Sequence, residues 1–125
     1  MILLLDTHVL LWAVSDPARL PATVRGAIES PQSDVVVSAG SIWELEIKRA
    51  AGKLRIDVEL LTELEHVGFD VVPITAVDAT VAARLPLLHR DPFDRLLVAQ
   101  AQRLDATLVS HDPALAAYGV EVLRA

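Results

Sequence analysis

Short apolar runs alternate along this chain with stretches whose apolar positions recur at helical spacing. Ile2–Leu5, Val35–Val37, Val71–Ile74, Thr107–Ser110 and Val120–Leu123 read as strands. Pro21–Glu29, Ser41–Ala51, Val58–Val67, Val77–Arg84 and Pro92–Leu104 read as helices, with Pro113–Tyr118 a short one. Pro21 and Pro92 stand where a first helical turn tolerates proline, and Gly52 and Gly68 stand where a helix stops. The strands are apolar throughout rather than alternating, so both of their faces are covered. The pattern therefore predicts an α/β fold with a central parallel sheet of four to five strands and helices on both sides.

In such a sheet the strand C-termini and the following helix N-termini lie along one edge, where ligands bind. Asp6 directly follows Ile2–Leu5, and Asp112 follows Thr107–Ser110. Glu44 falls in the first turn of the helix after Val35–Val37, and Asp91 and Asp94 bracket the start of Pro92–Leu104. All these carboxylates are expected at one edge. Each also has a local reading. Asp91-Pro92 and Asp112-Pro113 are helix starts with Asp as cap and Pro next, and Asp94 sits where a negative charge suits the helix dipole. Ser41-Ile-Trp-Glu44 has the form of a capping box, and Asp16-Pro17 that of a turn or cap. Asp6 is the least explained by capping alone, because a charge beside so apolar a run is costly unless paired or bound to a cation. Carboxylates gathered within a few ångströms either take up protons or bind cations. Hard oxygen ligands select Mg2+ or Mn2+, ions suited to phosphodiester hydrolysis.

Composition narrows the chemistry further. The absence of cysteine removes disulfides, zinc–thiolate sites and thiol catalysis, and suits a reducing compartment. A chain of 125 residues, 53% hydrophobic, is expected to fold as a single domain over residues 1–125. Asp6 interrupts the apolar start before a signal sequence can form, and no stretch reaches the roughly 20 apolar residues of a membrane span. A cytoplasmic protein with no membrane partner is expected. The net charge of −6 argues against loose, non-specific nucleic-acid binding. The cations are uneven, with Lys48, Arg49, Lys53 and Arg55 in one stretch, either a solvated helix face or a surface for RNA. Arg90 and Arg95 lie near the acidic edge and are candidates for phosphate contact, although Arg95 is also spaced to pair with Asp91. His8, His89 and His111 lie near acids but lack metal-ligand spacing. Trp12, Trp43 and Phe93 read as core or interface, with Trp43, Ile47 and Ala50 on one helical face. Glycines are scattered and form no phosphate-binding loop.

Four blocks carry a family resemblance: LLLDTHVLLW (Leu3–Trp12), VVSAGSIWELEIK (Val36–Lys48), HRDPFDRLLVAQA (His89–Ala101) and ATLVSHD (Ala106–Asp112). Together, in this order over nearly the whole chain, they resemble the PIN-domain ribonucleases, and within these the VapC-type toxins of bacterial and archaeal toxin–antitoxin pairs. The resemblance implies a PIN-like three-layer sandwich and a Mg2+- or Mn2+-dependent endoribonuclease, restrained by a cognate VapB-type antitoxin. The family's acids fall on Asp6, Glu44, Asp94 and Asp112, with Asp91 auxiliary. Thr7, Ser38 and Ser110 fall where small hydroxyls would bond carboxylates or bound water. Asp6, Asp94 and Asp112 would hold one or two ions, with Glu44 completing the shell or placing the attacking water. Hydrolysis would leave a 5′-phosphate and a 3′-hydroxyl. The surplus of apolar residues is expected to cover a homodimer interface or an antitoxin groove. Two other readings fit part of the pattern. Another aspartate-dependent phosphoryl hydrolase would also place an acid at a strand end, but would want a second Asp where His8 stands. A non-catalytic PIN-like binding module would usually have lost acids that this chain keeps.

Overall fold

The architecture follows from the way β1 (Ile2–Leu5) divides its leucines. In this computed structural model, which describes all 125 residues, β1 is the middle strand of a five-stranded parallel sheet ordered β3-β2-β1-β4-β5. The other strands are β2 (Asp34–Ser38), β3 (Asp70–Val72), β4 (Thr107–Ser110) and β5 (Val122–Arg124). Successive side chains of a strand point to opposite faces. Leu3 and Leu5 accordingly enter one core, with Val9, Leu10, Leu45 and Leu64, while Leu4 enters the other, with Leu97, Val98 and Leu115. All three leucines are fully buried, so each contributes about 2 kcal/mol of apolar burial.

The helices are α1 (Thr7–Ser15), α2 (Ala22–Glu29), α3 (Ala39–Ala50), α4 (Leu60–Val67), α5 (Ala76–Arg84) and α6 (Pro92–Leu104), with 3-10 turns at Pro17–Arg19 and Pro113–Tyr118. None is long and apolar enough to cross a membrane. Helices α1 and α4 cover the face of Leu3 and Leu5, and α6 covers that of Leu4. Chain order runs outward from β1 through β2 to β3, then crosses back to β4 and out to β5. The direction of winding therefore reverses between β1 and β4, the place where an open parallel sheet parts to leave a ligand crevice. Asp6 leaves β1 there, its backbone N–H bonded to Val109 O at 2.9 Å, and Ser110-His111-Asp112 leave β4 beside it.

The predicted sheet and helices are present, with shifts at their ends. The helix expected from Ser41 begins at Ala39, because Ser38 is the cap: its Oγ accepts the Gly40 N–H at 3.0 Å. Ser41-Ile-Trp-Glu44 is therefore not a capping box, and Glu44 lies in the second turn rather than the first. Ser38, expected to serve the carboxylates, is fully buried and caps α3 instead. The true capping box is at α5, where Thr75 and Asp78 exchange backbone bonds. Strand β3 ends before Pro73, earlier than expected, and β5 begins at Val122, after Gly119 has turned the chain at φ 81°. The helix expected from Val58 starts at Leu60. The face of Trp43, Ile47 and Ala50 is exposed rather than core, with Trp43 62% accessible.

Candidate active site

Asp6 is both a helix cap and the buried base of the site. Its Oδ1 accepts the Val9 N–H at 2.8 Å, which satisfies an open donor of α1. Its Oδ2 accepts from Ser110 Oγ at 2.6 Å, and the His111 Nδ1 lies 3.4 Å from it. The carboxylate is thus fixed across the β1–β4 crevice by a residue far away in sequence. Ser110 Oγ also accepts the Asp112 N–H at 3.0 Å, so one hydroxyl joins two of the acids.

Glu44 reaches the same place from α3. Its Oε1 accepts from Thr7 Oγ1 at 2.7 Å, with Ser41 Oγ 3.2 Å from that hydroxyl, and its Oε2 is paired with Lys48 at 3.0 Å. Lys48 stands one turn further along, the spacing at which a glutamate pairs with a following lysine.

Asp94 and Asp112 meet around His89. The His89 Nε2 lies 2.9 Å from Asp112 Oδ2 and 3.6 Å from Asp94 Oδ2. The ligand atoms of all three residues fall within 4.8 Å of one another. The Asp91 N–H donates to His89 Nδ1 at 3.2 Å, which requires a lone pair there and puts the ring proton on Nε2, facing Asp112. The hydrogen bond from His89, with the Ala114 N–H, holds the Asp112 carboxyl below the usual range. Asp94 goes the other way, to about 6. Burial is the main cause, and the negative charges of Asp91, Asp6 and Glu44 add to it against the opposing pull of His89. Asp91 itself accepts the Phe93 N–H at 2.9 Å as the cap of α6.

The chemistry of this donor set fits a hard divalent cation. The oxygens of Asp94 and Asp112 come together with His89. Asp6 and Glu44 stand outside that group but near enough for their charge to act on Asp94, and Asp94 has no Lys or Arg partner. The sequence discounted His89 for want of spacing, yet the fold places it between two acids. Only its position just before Asp91-Pro92, in a turn that must return to the edge, hinted at this.

Arg95 corrects an expectation. It neither pairs with Asp91 nor faces a phosphate. Only 9% exposed, its guanidinium donates to the carbonyls of Ala82, Leu85, Pro86 and His89, at 2.8–3.2 Å. It thereby caps α5 and fixes the loop that carries His89. Arg49 is likewise committed, to the carbonyls of Ile56 and Val58 at 3.1 and 3.0 Å and to Glu46. Lys48 is held on Glu44, while Arg90 and Lys53 are exposed without a bonded side-chain partner.

Beyond Asp6, the rings of His8 and His111 lie 4.3 Å apart, with Trp12 6.0 Å from His8 and Arg19 over the Trp12 ring at 5.1 Å. Burial, and then His111, hold the His8 imidazole below the usual histidine range.

Known proteins share this fold. The PIN domain family matches residues 3–121. The chain belongs to the PIN-domain family. As a PIN domain it is 33% identical over 112 residues to Ribonuclease VapC22 of Mycobacterium tuberculosis, covering 87% of this chain and 85% of that protein. It is thus a VapC-type PIN domain, the class its four sequence blocks resemble. Among solved structures it is similar to VapBC2 from Rickettsia felis bound to a promoter DNA fragment, at TM-score 0.74 and 15% identity over 99% of this chain and 98% of that one. It is also similar to FitAcB from Neisseria gonorrhoeae, at TM-score 0.63 and 20% identity over 99% and 97% of the two chains. VapBC-5 from Mycobacterium tuberculosis has TM-score 0.63 and 22% identity over 99% and 98%. At these identities the structures speak for the PIN fold.

Proposed function

We propose that this PIN domain is a Mg2+- or Mn2+-dependent endoribonuclease, the toxin of a type II toxin–antitoxin pair restrained by a VapB-type antitoxin. The observation that carries the reading is geometric: the ligand atoms of Asp94, Asp112 and His89 lie within 4.8 Å of one another at the sheet edge, and burial with neighbouring acids raises the Asp94 carboxyl there. A divalent cation bound there supplies an acidified water and a Lewis acid for the departing oxygen of a phosphodiester. Asp6, Asp94 and Asp112 would hold it, and Glu44 would complete the shell or orient a water. Ser110 and Thr7 fix the carboxylates of Asp6 and Glu44 in direction, so the donors are placed before substrate arrives. His89 holds Asp112 and lies against Asp94, and Asp91 fixes the start of α6 on which Asp94 rides.

The exposed apolar face around Trp43 and Phe93, whose rings meet edge-on at 5.7 Å, supports a homodimer as the working form. A strictly monomeric species by light scattering at micromolar concentration would remove that element.

The test is cleavage of RNA by the purified protein with Mg2+ or Mn2+, beside EDTA. The reading expects metal-dependent cutting with 5′-phosphate ends. A 2′,3′-cyclic phosphate product would sink the hydrolytic mechanism. Absence of both cutting and metal binding would favour a binding module.

A further inference from the structure

The residues that hold Glu44 also wall a cavity. Thr7 and Lys48, which bind the two Glu44 oxygens, form the side nearest the acids of a space of about 320 Å³ between α1 and α3. Its apolar lining is Leu11, Leu45 and Leu54, and the exposed His8 and Lys53 stand at its mouth. The volume is at the small end of ligand pockets, which span about 300–1,000 Å³. That suits one nucleotide rather than several.

Lys53 is the distinctive member. In a chain of net charge −6, an anion is drawn only where a cation is not already cancelled. Arg49, Arg95 and Arg103 are bonded within the fold, Arg55 pairs with Asp57, and Lys48 with Glu44; Arg25, Arg84, Arg90 and Arg124 are unpaired as Lys53 is, but none of them lines this cavity. The Lys53 ammonium has no hydrogen-bond or ion-pair partner. Its place is set by the end of α3. Gly52 turns left-handed at φ 71° and its N–H bonds Arg49 O at 3.1 Å, while the Lys53 N–H bonds Lys48 O at 2.9 Å. This paired closure folds Lys53 back beside Lys48, and only a residue at ease with positive φ at Gly52 permits it.

We infer that this cavity receives the nucleotide next to the scissile phosphate of a single-stranded RNA, its phosphate on Lys53 and its base against Leu11, Leu45 and Leu54. The inference rests on the nuclease reading above and gives that site a requirement: the nucleotide must be unpaired, because a base held in a duplex cannot leave its stack to enter the cavity. Lys53 is a positioning residue, since it stands outside the acid cluster.

Two measurements test it, one independent of cutting. Isotope-labelled protein, free of metal, is titrated with adenosine 5′-monophosphate and followed by NMR. Shifts are expected at the backbone amides of Leu11, Lys53 and Leu54, with an affinity about fivefold weaker in Lys53→Ala. In RNA cleavage, Lys53→Ala is expected to raise KM about fivefold with kcat moving less than twofold. It should also lower the salt slope of binding by about 0.7, one phosphate's share for a single strand. Gly52→Ala, which strains the turn, should raise KM in the same direction. A substrate whose cut site is held in a duplex should be poorly cut and indifferent to Lys53. Shifts confined to other residues, with KM and salt slope in Lys53→Ala equal to wild type while RNA is cut, would overturn the cavity's role and leave the nuclease reading standing. Shifts in the cavity without any RNA cleavage would overturn the nuclease reading and not the cavity's nucleotide.

Discussion

Two aspartates, the buried Asp78 and the partly buried Asp94, stand on neighbouring helices and are treated oppositely by the fold. Asp78, 1% exposed, accepts two bonds from Arg103 at 2.7 and 2.9 Å, and exchanges backbone bonds with Thr75. The Arg103 guanidinium is the main reason its carboxyl falls to about 2. Asp94 is partly buried among other acids, with His89 but no Lys or Arg beside it, and rises to about 6. The same residue type is complete in one place and unfinished in the other. A carboxylate whose charge is answered by the chain holds the fold together. One whose charge is left unanswered is a candidate to hold a cation from outside.

The sharpest way to break the comparison is to neutralise the unfinished aspartate. Asp94→Asn is expected to lower RNA cleavage about 100- to 1,000-fold, the scale on which a group acting in the transition state registers. The thermal midpoint should stay level or rise, because like charges are relieved. A variant that unfolds more easily would place Asp94 with Asp78 instead. A smaller loss is expected at Ser110→Ala, which removes the 2.6 Å bond to Asp6 while leaving every acid in place. About tenfold in kcat is the usual price for such a supporting hydroxyl, and an unchanged kcat would mean Asp6 needs no orienting.

The complementary change is Asp78→Ala. It removes the α5 capping box and the partner of Arg103, so the thermal midpoint should fall by several degrees while cleavage stays within twofold. Loss of activity in protein that remains folded would show that the two sites are not separate.

The pH dependence of stability is the smallest effect and the most discriminating in sign. Asp78 has a folded value near 2 against 3.8 ordinarily, so its contribution is present above about pH 4 and is lost as pH falls through 2. Asp94 has a folded value near 6 against 3.8, so the metal-free folded state binds its proton more tightly than the unfolded chain does. Stability should therefore rise as pH falls from above 6 towards 4. Denaturant titrations of wild type and Asp94→Asn should differ in slope only in that window. Equal slopes would mean that the Asp94 carboxyl is not raised.

The sheet was legible because buried parallel strands are written as unbroken apolar runs, and Ile2–Leu5 and Thr107–Ser110 match the observed strands at both ends. Helix α6 was legible for a different reason: Asp91-Pro92 marks its start and the period of its apolar residues its extent. That the strand ends carrying Asp6 and Asp112 share an edge followed from topology, and the structure brings Asp94 and Asp112 together there with His89. What stayed hidden depends on side-chain direction over long distances. Nothing local says that Ser38 rather than Ser41 caps α3, or that Arg95 turns from Asp91 to the carbonyls of the α5–α6 loop. His89 reaches Asp112, 23 residues away, only because that loop is held by Arg95 and Tyr118. The Asp78–Arg103 pair was missed for the same reason, its partners lying 25 residues apart on separate helices.

The most direct test of the unfinished site is calorimetric titration of Mg2+ into wild type and Asp94→Asn at pH 6, in two buffers of different ionisation enthalpy. With its carboxyl raised towards 6, Asp94 carries a proton more readily than an ordinary aspartate at this pH, and a cation binding there displaces it. Wild type should bind Mg2+ with net release of protons, and Asp94→Asn should bind far more weakly and release fewer. Binding of equal strength in both proteins, with no buffer dependence, would contradict the assignment of this carboxylate cluster as the metal centre.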